Sequence, residues 1–338
     1  MTRRCAPSVP TIALAMACVI VAGYGTPAFA YLKLGFDLNG RTVILKWPRP
    51  PVRYFVSGTG VPGVTPADFQ NAMGRAFSTW QNVQTASIEY AFAGVTAALP
   101  GDDDGLSTLG FRNEPALDRV LASTSFLVDI VSGEIVESDV FFNSAFPWSV
   151  SASGQAGRFD LEAIAVHEIG HLSGLGHSAL GETEVAASGG RRVLAAEAVM
   201  FPIAFSVGSV AARTLTDDDI AGISDLYPDA GFNQDTGSVS GRVTKNGQGV
   251  LGAHIVAFDP ATGAMVGNFS LDARGQFSIA GLRPGPKVLR VEPLDDADVE
   301  SFFDGSVDLA FKPVFFERLV VVPRGGDSGA VEIRVVPK

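Results

Sequence analysis

The spacing of hydrophobic positions changes twice along this chain. Behind Pro48, Pro50 and Pro51, which keep the backbone extended, Val52-Arg53-Tyr54-Phe55-Val56 is a run of β-formers. From Phe69 the interval becomes three and four: Phe69, Met73, Ala76, Phe77 and Trp80 make one helical stripe. Thr65 caps that helix, Pro66 opens it and Asp68 stands three residues past the cap. Residues 88–92, 106–111, 122–131 and 137–143 read as further strands. Asp160 predicts the cap of a second helix over 161–172, with Leu161, Ala165 and Leu172 on one packing face. Residues 181–192 read as a polar, mobile insertion, most simply a solvated loop. Thr216 and Asp219 open a third helix carried by Ile220, Ile223 and Tyr227. After a polar linker at 228–237 no helical period returns. Short β-former runs at 238–244, 253–258, 277–279, 288–291, 315–322 and 331–336 alternate with turns such as Asn246-Gly247. That rhythm predicts an antiparallel sandwich of roughly 100 residues.

Length and charge narrow the class. At 338 residues two domains are expected, and 46% hydrophobic residues suffice for two cores. Arg3 and Arg4, the apolar run 11–23 and Ala28-Phe29-Ala30 form a secretory signal over residues 1–30, cut before Tyr31. The run is too short for a membrane span. Both cysteines, Cys5 and Cys18, lie inside the signal, so the mature chain would carry no disulfide. Without Arg3 and Arg4 the 25 basic residues fall to 23 against 36 acidic ones, moving the net charge from −11 to −13. This argues against nucleic acid and anionic membranes as partners. A secreted protein, extracellular or periplasmic, is expected.

Three of the four histidines fall in His167-Glu168-Ile169-Gly170-His171-Leu172-Ser173-Gly174-Leu175-Gly176-His177. His167 and His171 project from one helix face, one turn apart, where two imidazoles reach one metal ion. Glu168 sits about 100° round the helix and can face a water without being a ligand. Gly174 can take positive φ, stop the helix and let His177 return as a third ligand. Three nitrogens leave one tetrahedral position open, as a catalytic zinc requires. The fourth histidine, His254, has no partner at ligand spacing and reads as a strand residue.

The long zinc motif, with Ser178 after it, resembles the signature of metzincin metalloproteases of the matrixin branch. The resemblance extends from Trp47 to Tyr227. It implies an α+β domain, a mixed twisted sheet with three helices, over residues 31–227. It implies catalytic zinc on His167, His171 and His177, with Glu168 as general base. Ala198-Val199-Met200-Phe201-Pro202 resembles the family's Met-turn, so Met200 is expected beneath the ligands. The strand Ser107-Thr108-Leu109-Gly110 matches the edge strand that pairs with extended substrate, making Leu109 and Gly110 substrate-binding candidates. Ala163 and Pro202 are candidates for the specificity pocket, which the small Ala163 and Ala204 would leave roomy. In the family an aspartate near 218–219 can pair with a processed N-terminus, although solvated carboxylates are the simpler reading here. Matrixins also hold structural calcium, usually with a structural zinc bound by histidines. Asp102-Asp103-Asp104-Gly105 is a calcium candidate or an ordinary acidic turn, and no histidine is present there for a second zinc. The usual prodomain is not expected, because only residues 31–46 separate the signal from the domain and they contain no cysteine.

Residues 238–338 loosely resemble a transthyretin-like, carboxypeptidase-regulatory β-sandwich, through Gly241-Arg242-Val243 and Gly275-Gln276-Phe277-Ser278-Ile279. Such an accessory domain is a candidate binder of protein or carbohydrate. The acidic stretch 295–300 reads as a solvated loop. The expected function is a secreted zinc endopeptidase acting on proteins or peptides. Two alternatives stay open: a secreted binding or adhesion protein with a structural zinc, and a metallohydrolase of non-peptide substrates.

Overall fold

The computed structural model describes residues 18–19, 33–39, 41–185, 191–196, 198–204, 207–294 and 307–338. Most of the expected signal and the acidic stretch 295–300 lie outside these residues.

Six strands form the first sheet, in the spatial order Cys18–Val19, Ala122–Val128, Ile135–Asn143, Thr108–Arg112, Val52–Ser57, Tyr90–Thr96. The last four are mutually parallel, whereas Ala122–Val128 runs antiparallel to Ile135–Asn143. Cys18–Val19 pairs outside Ala122–Val128, opposite Leu127 and Phe126. Parallel neighbours need a crossover, which α1 (Pro66–Gln81) supplies between Val52–Ser57 and Tyr90–Thr96. Its cap forms as expected: Asp68 N–H donates to Thr65 Oγ1 at 3.1 Å, and Thr65 N–H donates back to Asp68 Oδ2 at 3.2 Å. The stripe Phe69, Met73, Ala76, Phe77 and Trp80 is buried. Trp80 Nε1–H donates to Val166 O at 2.7 Å, tying α1 to α2 (Leu161–Leu172).

The expected edge strand is corrected. Thr108 and Leu109 pair with Phe55 and Val56 on one side, while Leu109–Arg112 pair with Val140–Asn143 on the other. A strand with neighbours on both sides cannot accept a substrate. Its unbroken burial from Thr108 to Phe111 is that of an interior parallel strand. The outermost long strand on the α2 side is Ala122–Val128. The insertion at 181–192 is also not a plain loop. Gly181–Val185 and Arg191–Ala196 pair as an antiparallel hairpin.

Beyond residue 228 the chain is strand-rich. The stretch read as a linker carries a short helix, Phe232–Asp235, whose first N–H, that of Phe232, donates to Asp229 Oδ1 at 2.6 Å, with Phe232 buried. One sheet joins Gln248–Gly249, Gly237–Lys245, Val331–Pro337 and Phe311–Lys312, with Gln276–Leu282 also on Gly237–Lys245. The other joins Met265–Phe269, His254–Phe258, Gly285–Glu292 and Val314–Phe315, with Val320–Val322 on Gly285–Glu292. Residues of both, including Val239, Val243, Ile255, Leu289 and Ile333, form one apolar cluster. Asn246 and Gly247 both take positive φ, 52° and 81°, as a two-residue hairpin requires. Among the described residues no helix is long and apolar enough to cross a membrane.

Candidate metal centre

Helix α2 presents the motif. Asp160 caps it by accepting Ala163 N–H at 2.8 Å, and Arg213 Nε in turn donates to Asp160 Oδ1 at 2.8 Å. Leu161, Ala165, Val166, Ile169 and Leu172 are fully buried, which leaves His167 and His171 on the opposite, partly open side.

The helix ends at Ser173, and Gly174 turns the chain with φ +99°. A Cβ there would come 2.5 Å from Leu45 O. Helix C-termini leave carbonyls without intrahelical partners. Here three in a row are satisfied from distant segments. Leu172 O accepts Trp47 Nε1–H at 2.8 Å, Ser173 O accepts Tyr227 O–H at 2.7 Å, and Gly174 O accepts Leu34 N–H at 2.8 Å.

This turn delivers His177. His171 Nε2 lies 3.1 Å from His167 Nε2 and 3.2 Å from His177 Nε2. His167 Nδ1 is 2.8 Å from Val199 O, and His171 Nδ1 is 2.8 Å from Leu175 O. Carbonyls only accept, so both Nδ1 atoms carry the proton. Each Nε2 is then a bare lone pair, and the two face each other with no hydrogen between them. A cation resolves that repulsion. Zinc–nitrogen bonds of about 2.0–2.1 Å in a tetrahedron separate the nitrogens by about 3.3 Å, close to the observed spacing. Burial holds both imidazoles below their usual pKa, with His171 lowered further by the neighbouring rings. They are therefore neutral, as ligands must be. Among the described residues these three histidines are the one group of three or more potential side-chain ligands gathered within 4.8 Å.

Glu168 is buried beside them. Thr124 Oγ1–H, from the strand Ala122–Val128, donates to its Oε2 at 2.6 Å. Burial pushes the carboxyl up to about 7, against the lowering effect of that hydrogen bond.

Met200 lies under α2. A Cβ on Gly170 would fall 2.3 Å from Met200 Sδ and 2.8 Å from Trp80 Cζ2. The turn is also tied to the histidine segment, since Val199 O receives His167 and Met200 O accepts Ser178 N–H at 2.9 Å.

The profile of the matrixin family matches residues 46–228. The chain belongs to the matrixin family. Metalloendoproteinase 1-MMP of Arabidopsis thaliana is 31% identical over 214 residues, covering 60% of this chain and 50% of that protein. Metalloendoproteinase 1 of Glycine max is 32% identical over 178 residues, covering 47% of this chain and 45% of its own length. Matrix metalloproteinase-16 of Homo sapiens is 28% identical over 160 residues, covering 46% and 24%. The chain thus spans half or less of the length of these relatives.

Within this matrixin region some sequence-derived candidates stand apart from the histidines. Leu109 is fully buried in the interior strand. A Cβ on Gly110 would meet Ser57 Cβ at 2.8 Å, so it too is a packing position. Ala163 is buried in the first turn of α2, and Pro202 is half-buried two residues after Met200. Among the described residues the side chains of the acidic turn 102–104 join no group of three potential metal ligands. The nearby buried carboxylates receive its backbone instead: Gly105 N–H donates to Glu137 Oε2 at 2.5 Å, and Gly101 and Thr108 N–H donate to Asp139 at 2.5 and 2.7 Å.

The carboxylates opening α3 (Asp217–Leu226) correct the expectation of solvation, because Asp218 and Asp219 are each 2% exposed. Asp219 accepts the N–H groups of Val199 and Met200 at 2.9 and 3.1 Å, fixing the Met-turn. Asp218 accepts from Ser178 Oγ at 2.6 Å and from Gly267 N–H at 2.8 Å. Burial, then the charge of Asp219, raises Asp218 to about 7. The sequence signal available for Asp219 was its capping box, which accounts for one oxygen only. Nothing in the sequence singled out Thr124.

Proposed function

We propose that this chain is a zinc-dependent endopeptidase that hydrolyses protein or peptide substrates. The observation that carries the reading is the histidine geometry: facing lone pairs on His167 and His171, with His177 closing the group and a buried carboxylate alongside. A zinc held by His167, His171 and His177 supplies Lewis acidity toward the scissile carbonyl and a lowered pKa for water. Glu168 acts as general base. Thr124 occupies Oε2, so we assign Oε1 to take the proton from the attacking water and pass it to the leaving nitrogen. A carboxyl raised to about 7 by burial is matched to proton transfer near neutral pH. Met200 floors the site without ligating.

Once the leader-like residues 1–30 are cut away, and Cys18–Val19 with them, Ala122–Val128 would become the sheet edge, and the substrate would extend along it, beside Thr124, adding main-chain hydrogen bonds. Ala163 and Pro202 would line a roomy pocket for a large apolar side chain just after the cleaved bond. The family context and the leader-like residues 1–30 support secretion, with a peptidase domain over 31–227. The strand-rich remainder, 238–338, we read as a transthyretin-like β-sandwich accessory domain.

The test is cleavage of an unfolded protein by the purified chain, beside a chelated sample and Glu168→Ala, with zinc content measured on each. Loss of cleavage on chelation and in the zinc-loaded variant supports the mechanism. A folded, zinc-loaded wild type that cleaves no peptide bond would transfer the reading to a structural zinc in a binding protein.

A further inference from the structure

Three residues follow His177, and each is backed by the strand-rich region outside the matrixin match. Ser178 hydroxyl donates to Asp218 Oδ2 at 2.6 Å. Asp218 Oδ1 accepts the main-chain N–H of Gly267 at 2.8 Å, within the strand Met265–Phe269. Ala179 packs beside Phe269 and Leu294. Leu180 is buried with Ala198 and Val256, and Met265 packs against them. Ala198 stands two residues before Met200, so the same contact also backs the Met-turn.

The approach is close. A Cβ on Gly267 would fall 2.7 Å from His254 Nε2 and 3.2 Å from Leu180 Cγ. Only a bare main chain lets this strand reach Asp218. Asp218 itself is 2% exposed, and its two oxygens are taken by a hydroxyl from one region and an amide from the other.

The three histidines differ in how they are held. His167 and His171 ride on a buried helix. His177 follows the Gly174 turn, so its position depends on what packs around the next few residues. A ligand on an unsupported segment pays its ordering entropy when metal binds, which lowers affinity.

We infer that the strand-rich C-terminal region is a working part of the metal centre. Gly267 acting through Asp218, and Val256 with Met265 acting through Leu180, position the segment that presents His177. Asp218 is a positioning residue and not a ligand. Zinc affinity is therefore coupled to the packing of a region that the matrixin profile does not include. The inference rests on His177 being a zinc ligand.

The experiment measures the zinc dissociation constant by chelator competition on the full chain. It also records the visible absorption of the cobalt-loaded protein, which reports ligand geometry. The variants are Ser178→Ala and the pair Val256→Ala/Met265→Ala. Ile333→Val is the control, since Ile333 is buried in the core of the same region but belongs to the other sheet. Both interface variants should weaken zinc binding roughly ten- to hundredfold, as loss of outer support does at metal sites, and should alter the cobalt spectrum. Ile333→Val should lower the melting temperature and change neither. Folded interface variants with wild-type zinc affinity would overturn the inference, and so would an equal loss in Ile333→Val. A wild type that binds no zinc would remove this inference and the peptidase reading together. A wild type that binds zinc without cleaving peptides would remove the peptidase reading alone, because the affinity comparison needs no turnover.

Discussion

Gly170 lies inside α2, between His167 and His171, and replacing it by alanine is a test in which two effects oppose each other. On helix propensity alone Gly170→Ala should stabilise by about 1 kcal/mol. The structure predicts the reverse. The new Cβ would stand 2.3 Å from Met200 Sδ and 2.8 Å from Trp80 Cζ2, where unstrained carbon contacts need about 3.5–4.0 Å. Methionine can rotate away, but Met200 is 3% exposed and its N–H is held by Asp219. Trp80 has less freedom, being fully buried with its indole N–H on Val166 O. Overpacking of a tight core costs about 1–3 kcal/mol, and straining a buried hydrogen bond adds about 1 kcal/mol. After the propensity gain the net loss is about 1–3 kcal/mol. At about 2–4 °C per kcal/mol for a region of this size, the melting temperature should fall by roughly 2–12 °C. Displacing Met200 also moves Val199 O, the partner of His167 Nδ1, so zinc affinity should fall roughly tenfold or more. Thermal unfolding of metal-free and zinc-loaded protein, with zinc competition, reads both effects. A variant as stable as wild type, or more so, would refute the packing argument.

Three further tests address other links. Gly174→Ala must accommodate φ +99° and a Cβ 2.5 Å from Leu45 O, whereas Gly157→Ala has a strained φ of +74° but nothing within 4 Å. The first should lower the melting temperature clearly more than the second, and equal losses would count against the clash. Thr124→Val removes the hydroxyl on Glu168, so kcat should fall roughly ten- to hundredfold with KM little changed, and Thr124→Ser should restore it. A rise in KM alone would assign Thr124 to substrate contact instead. Burial raises Glu137 to about 7 and Asp139 to about 6, so the folded state holds protons that the unfolded state has released. Their stabilising contribution is full below the ordinary carboxylate range and is lost as pH rises through about 6–7. Denaturant unfolding from about pH 5 to about pH 8 should therefore cost wild type more than Glu137→Gln/Asp139→Asn. The opposite sign would mean that a cation holds these carboxylates charged.

What the sequence revealed depended on range. The caps at Thr65 and Asp160, the apolar stripe of α1 and the spacing of His167, His171 and His177 are properties of a few adjacent residues, and the helix geometry follows from them. The order of strands is not local. Residues 106–111 and 122–131 are both runs of β-formers, and which one is flanked on both sides by long strands is settled by partners far along the chain, in Val52–Ser57 and Ile135–Asn143. Asp218 and Asp219 misled for a related reason. Carboxylates at a helix start are usually solvated, and the groups that bury these two come from Ser178, the Met-turn and Gly267. The hairpin at 181–196 was hidden by its polar composition, since pairing of backbone needs no apolar residues.

The three carbonyls at the end of α2 have a consequence for synthesis. Leu172, Ser173 and Gly174 are clamped by Trp47, Tyr227 and Leu34, so the loop leading to His177 is closed from both ends of the matrixin match and from the segment just before it. Trp47 N–H also donates to the Tyr227 hydroxyl, across 180 positions of sequence. Contacts of that span form late, after the closure entropy of the intervening chain has been overcome. A nascent chain emerging from the ribosome has all three histidines outside well before Tyr227 arrives. Until then the loop carrying the third histidine lacks its clamp. Assembly of the three-histidine site is thus tied to completion of the fold, and a chain still lacking Tyr227 would hold its third histidine on an unclamped loop.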